Sequence, residues 1–160
     1  ATSLLPDMKP AEIAMIIWAA GMLRLDHGKV NLTIVVLSGE TALKMPQFRS
    51  QELSNTCWGL ALLSIRNDTL MTAVAEKVVQ NARSWRGAGL SHDLPGIVWA
   101  HAKMGFMSKP LLGLVAEMVS SAMDTPTDWS LCALVWSYVE LDKERAFSDF
   151  RRLLVAKAKQ

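Results

Sequence analysis

The sequence is poor in the residues that usually announce a chemistry. Of its 160 residues only two are cysteine, three are histidine and one is tyrosine. Cys57 and Cys132 stand far apart inside apolar runs, without the close spacing of a metal or redox pair, and both are expected to be buried thiols. His27, His92 and His101 have no cysteine or carboxylate at metal-ligand spacing. A phosphate-cradling glycine loop, a nucleophile elbow and a tuned carboxylate pair are all missing. No catalytic residue, metal ligand or cofactor site is therefore assigned, and the expected protein is not an enzyme.

An excess of one charge is also lacking. Seventeen Lys and Arg against fifteen Asp and Glu leave a net charge of +2, so any basic surface has to be local. Long hydrophobic runs are absent too. The longest uncharged apolar stretches, 13–23 and 53–65, fall short of the roughly 20 residues that a membrane-spanning helix needs. The chain opens Ala1-Thr2-Ser3 without a methionine, as expected where a targeting peptide has been removed.

Tryptophan, by contrast, is plentiful, and four of the six recur at Trp18, Trp58, Trp99 and Trp136, at intervals of 40, 41 and 37 residues. Five residues before each stands Ile13, Leu53, Leu94 or Leu131, and five after it Leu23, Leu63, Met104 or Leu141. The next residue is small in every case (Ala19, Gly59, Ala100, Ser137), and the third one on is Gly21, Ala61, Ala102 or Val139. Large apolar residues around a tryptophan, with small residues just beyond it, describe a helix packed closely on more than one side. The segments Leu70–Glu76 and Leu111–Glu117 align at the same spacing, which gives each unit a second helix.

Start signals keep this register. Ser50, Ser91 and Asp128 lie eight residues before their tryptophans, with Pro10 in that place in the first unit. Glu12, Glu52 and Asp93 follow two residues on, where negative charge favours a helix N-terminus. The predicted architecture is all-α, a solenoid of about four antiparallel helix pairs in a single domain, with units near 9–47, 48–89, 90–126 and 127–160. First helices are expected near 11–25, 51–65, 93–106 and 128–141, and second helices near 29–43, 68–83, 109–123 and 144–157. The four recurrent tryptophans are expected as the structural core of the repeat. The first unit is the most apolar, so its outer face is expected to meet a partner; the charged last unit suits a solvated cap.

The segment Gln51-Glu52-Leu53-Ser54-Asn55-Thr56-Cys57-Trp58-Gly59-Leu60-Ala61-Leu62-Leu63, echoed by His92-Asp93-Leu94-Pro95-Gly96-Ile97-Val98-Trp99-Ala100-His101-Ala102-Lys103-Met104, resembles the core of octotricopeptide repeats. Heptatricopeptide and FAST-kinase-domain repeat proteins are similar. The resemblance implies antiparallel helix pairs, a mitochondrial or plastid location, and a role in organellar RNA processing, stability, translation or ribosome assembly.

For single-stranded or ribosomal RNA, base-reading side chains would sit at matching positions of the first helices. Three residues before the tryptophans these are Met15, Asn55, Gly96 and Ala133, of which Asn55 can hydrogen-bond a base. Arg83 and Arg86 flank Trp85 in an inter-unit loop and, with Lys103, Lys109, Arg151 and Arg152, are candidates for phosphate contacts, Trp85 offering a stacking face. Trp129 and His101 are expected to be packing residues. The second reading is a protein-binding scaffold, an accessory subunit of an organellar ribosome or of an energy-converting membrane complex, for which low net charge and nine methionines are suited.

Overall fold

A computed structural model describes residues 7–25 and 28–159, and among these every regular element is helical. Eight α-helices follow one another: α1 (Pro10–Met22), α2 (Gly28–Leu43), α3 (Ser50–Leu62), α4 (Asp68–Asn81), α5 (Leu94–Lys103), α6 (Lys109–Ser120), α7 (Asp128–Leu141) and α8 (Ser148–Lys157). The odd-numbered helices lie side by side in one row, α1 on α3, α3 on α5 and α5 on α7. The even-numbered helices form a second, looser row behind them. This is a solenoid-like, two-layer stack, as the repeat predicts.

Small residues set the spacing of the tight row. A methyl group on Gly21 would lie 2.7 Å from the Cα of Gly59, and one on Gly96 would lie 2.6 Å from Ser54 Oγ. Gly21 and Gly59, one from each small column, thus mark a place where neighbouring helices touch almost backbone to backbone. Between the rows, Ala20, Leu60, His101 and Tyr138, each two residues after a repeat tryptophan, are all buried.

The helix ends also repeat. Glu12 accepts a hydrogen bond from the backbone N–H of Lys9 at 2.8 Å, and Glu52 from that of Arg49 at 2.7 Å, so the acidic column ties down the chain entering α1 and α3. Asn67 and Ser108, both nine residues after a tryptophan, accept from the N–H of Leu70 and Leu111 to cap α4 and α6. Six residues after the first three tryptophans the backbone turns left-handed, at Arg24 (φ 49°), Ser64 (φ 57°) and Gly105 (φ 65°). In each case the next N–H reaches back five residues, Leu25 to Ala20, Ile65 to Leu60 and Phe106 to His101, closing the helix.

One boundary differs from expectation, and one that agrees, the start of α5 at Leu94, is reached in a way the sequence does not announce. The third unit enters its first helix through a π-helical turn, Gly89–Asp93, with Ser91 inside that turn. Asp93, the N-cap of α5, is buried and accepts a 2.7 Å hydrogen bond from Ser50 Oγ of the preceding unit. In the last unit α8 begins at Ser148 rather than near 144. The buried carboxylate of Asp142 accepts from the N–H groups of Ala146 and Phe147, which holds 142–147 as a loop.

Candidate functional site: the tryptophan face

The four repeat tryptophans do not form the core. Trp18 is 39% exposed and Trp136 38%, while Trp58 and Trp99 are half-buried. Lying one position ahead of the small residues that touch the neighbouring helix, they project from the first-helix row and line up across its surface. The Trp58 and Trp99 rings stack with centroids 4.0 Å apart and an interplanar angle of 25°, and Trp136 continues the line 6.3 Å from Trp99.

A second column runs beside them, seven residues earlier on each helix. Trp129 tilts against Trp58 at 5.1 Å, and His92 stacks on Trp129 at 5.1 Å. Trp129 is thus a packing residue of the surface rather than of the interior, 39% exposed. Before α3 the ladder opens. Trp18 and Met15 on α1 and Trp58, Asn55 and Gln51 on α3 line a groove of about 590 Å³ that His92 and Trp129 also line. Asn55, the base-reading candidate of the sequence, lies in this groove. Gln51 is not singled out in the sequence, and His92 and Trp129 are not read there as site residues, although the column seven residues before the tryptophans links all three.

The other candidates are scattered. Arg83 makes a bidentate ion pair with Glu117. Arg86 donates 2.8 Å hydrogen bonds to the carbonyls of Arg83 and Trp85, and Trp85 packs half-buried against the core. Lys109 pairs with Glu144 at 2.8 Å, and Arg152 pairs with Asp149. Arg151, half-buried, lines a shallow cleft at the far end of the stack. Lys103, four residues beyond Trp99 and so one turn along the same side of that helix, is exposed and forms no ion pair among the described residues.

Several titratable groups outside this face are buried. His101 is fully buried, as expected of a packing residue; its Nδ1 lies 2.8 Å from the carbonyl of Ile97 and its Nε2 3.4 Å from that of Met71 on α4. Burial outweighs these contacts and lowers its pKa from 6.5 to about 4, so the ring is neutral. The Tyr138 hydroxyl donates to the Leu112 carbonyl at 2.6 Å, and burial pushes its pKa up. Cys57 is buried, which raises its thiol to about 12. Cys132, by contrast, is exposed, against the expectation of two buried thiols. His27 lies outside the described residues. Among the described residues no group of histidine, cysteine and carboxylate side chains could hold a metal ion, and no helix is long and apolar enough to cross a membrane.

No family model, no curated protein and no solved structure matches this chain.

Proposed function

We propose that this chain is a non-catalytic helical-repeat module that holds single-stranded RNA along its tryptophan face, with the resemblance to octotricopeptide repeats placing that work in an organelle. The observation that carries the reading is the meeting of Asn55 with the aromatic rings of Trp18 and Trp58 at one groove. Unpaired bases are held by stacking on aromatic rings and by hydrogen bonds to their edges, and an amide side chain offers both donor and acceptor. Beyond the groove, the ladder to Trp99 and Trp136 continues the stacking surface, and Lys103 supplies a cation for a passing phosphate.

On this reading Arg83, Arg86, Lys109 and Arg152 have structural employment and contribute little to RNA. Affinity then rests on stacking more than on charge. The test is to compare a pool of short single strands with the same sequences as duplexes. Single strands are expected to bind and duplexes, whose bases are already stacked and paired, are not; equal binding of both would contradict the assignment.

The second reading, a protein-binding scaffold, is favoured by the apolar character of the groove's α1 wall, where Met15 is 62% and Met22 52% exposed. Failure to bind any single strand would turn the assignment to this alternative.

A further inference from the structure

Three of the polar side chains that line the groove beside Trp18 and Trp58, those of Gln51, Ser54 and Asn55, come from α3. They stand seven, four and three residues before the repeat tryptophan. In those places the other units carry Ala11, Ala14 and Met15, then His92, Pro95 and Gly96, then Trp129, Cys132 and Ala133. No other unit has an amide or a hydroxyl at any of them, so the repeat itself does not require the trio.

Internal bonding does not account for it either. Ser54 is 4% exposed, and the absence of a side chain at Gly96 leaves its hydroxyl room, since a methyl group there would lie 2.6 Å from Ser54 Oγ. Neither this hydroxyl nor the side-chain amides of Asn55 and Gln51 form a hydrogen bond among the described residues. A polar group as enclosed as Ser54 is normally paired, so the groove holds hydrogen-bonding capacity for what enters it. Among the described residues that line it, none is Lys, Arg, Asp or Glu. Indole rings and Met15 make up much of the rest. The occupant such a lining suits is a flat, uncharged ring with hydrogen-bonding edges, its phosphate left outside.

Resting on the single-stranded RNA reading above, we propose that the groove is a one-base pocket that selects adenine, while the ladder beyond it stacks neighbouring bases whatever their identity. A side-chain amide sets a donor and an acceptor side by side. Adenine offers the matching pair on two edges at once, N6–H with N7 and N6–H with N1. Gln51 and Asn55, one helical turn apart on the same side of α3, can therefore each take one edge. The Hoogsteen edge of guanine shows two acceptors, which suit a guanidinium or ammonium group that the described lining lacks. Cytosine and uracil satisfy one amide at a time and bring a single ring to the indoles. In the rest of the ladder Gly96 and Ala133 replace Asn55, so Trp99 and Trp136 offer stacking alone, which every base accepts.

The test uses short oligouridine strands with adenine, guanine, cytosine or uracil at the central position, binding being read from tryptophan fluorescence. The adenine strand is expected to bind roughly 10-fold more tightly than the other three. Asn55→Ala is expected to remove that ratio. Gln51→Ala, at an exposed site, is expected to lower it and keeps the test open should the first variant lose its helical signal. Adenosine monophosphate, which has no neighbours to stack on the ladder, is expected to displace the adenine strand only at far higher concentration. Strands that bind equally whatever their central base would overturn adenine selection and leave the RNA reading standing. A ratio that survives both substitutions would overturn the role of the amides, and displacement by adenosine monophosphate at the concentration of the strand would make the pocket a free-nucleotide site. If no strand binds, this inference and the reading beneath it fall together.

Discussion

Gly21 and Gly59 face each other across the α1–α3 joint so closely that a methyl group on Gly21 would come within 2.7 Å of the Gly59 Cα. Two helices at that separation are held by their backbones, and no side chain can retreat to relieve an added atom. Gly59→Ala, whose new methyl would press on the Ile17 carbonyl, is expected to destabilise the chain by about 3 kcal/mol. Gly39→Ala, in the interior of α2 with nothing near the added methyl, is expected to stabilise it by about 0.5–1 kcal/mol. Denaturant unfolding of the two variants measures both signs.

Ser64 closes α3 in the left-handed conformation that Gly105 adopts at the equivalent place after α5. A side chain in that region costs about 1 kcal/mol, which glycine does not incur. Ser64→Gly is therefore expected to raise the midpoint of thermal unfolding, and Gly105→Ser to lower it. Melting curves recorded side by side give the comparison.

His101 is buried neutral, its pKa lowered from 6.5 to about 4. Between those values the unfolded chain takes up a proton that the folded chain refuses, so stability is full above about pH 6.5 and falls as pH drops toward 4. The loss over that window is of order 3 kcal/mol from this one ring. His101→Gln, which keeps an amide donor for the Ile97 carbonyl, is expected to flatten the slope of unfolding free energy between pH 6.5 and 4. An unchanged slope would place the acid sensitivity elsewhere.

The two thiols are expected to react at very different rates. Cys132 is exposed on α7 and open to a thiol reagent in the native chain, whereas Cys57 is buried with its pKa raised to about 12. Titration of the folded protein should show one fast thiol, with the second appearing only on unfolding. Cys132→Ser should abolish the fast phase.

Much of the fold was legible in the sequence, because the columns around each tryptophan fix both the helical period and the size of the residue at each contact. The column directly after the tryptophan, Ala19, Gly59, Ala100 and Ser137, marks the helix joint in both sequence and structure. What the pattern could not say is which way the tryptophan points. Bulk suggests the core, yet Trp18 and Trp136 are exposed because the close approach of neighbouring backbones leaves no room between helices for an indole. Cys132 escaped for a related reason: its equivalents Ala14, Ser54 and Pro95 are covered by a following helix that α7 lacks. The turn at Arg24 and Ser64 carries no glycine to announce it, and the late start of α8 depends on a carboxylate, Asp142, whose partners only the folded loop supplies. Of the candidate site, Asn55 lies in the aromatic groove and Lys103 stands one helical turn beyond Trp99, whereas the Arg83–Arg86 cluster is occupied by Glu117 and backbone carbonyls.

The most direct measurement is the affinity for one short single-stranded RNA of three proteins: the wild type, Trp58→Ala, and the double variant Arg83→Ala with Arg86→Ala, each at about 50 and 200 mM salt. Holding RNA on the tryptophan face predicts a loss of roughly 10- to 100-fold for Trp58→Ala, the worth of one base stacked on an aromatic ring. The arginine variant should bind like the wild type, with a shallow salt dependence in all three. A steep salt dependence that disappears with the arginines, while Trp58→Ala binds normally, would contradict the account and move the site to the inter-unit loop.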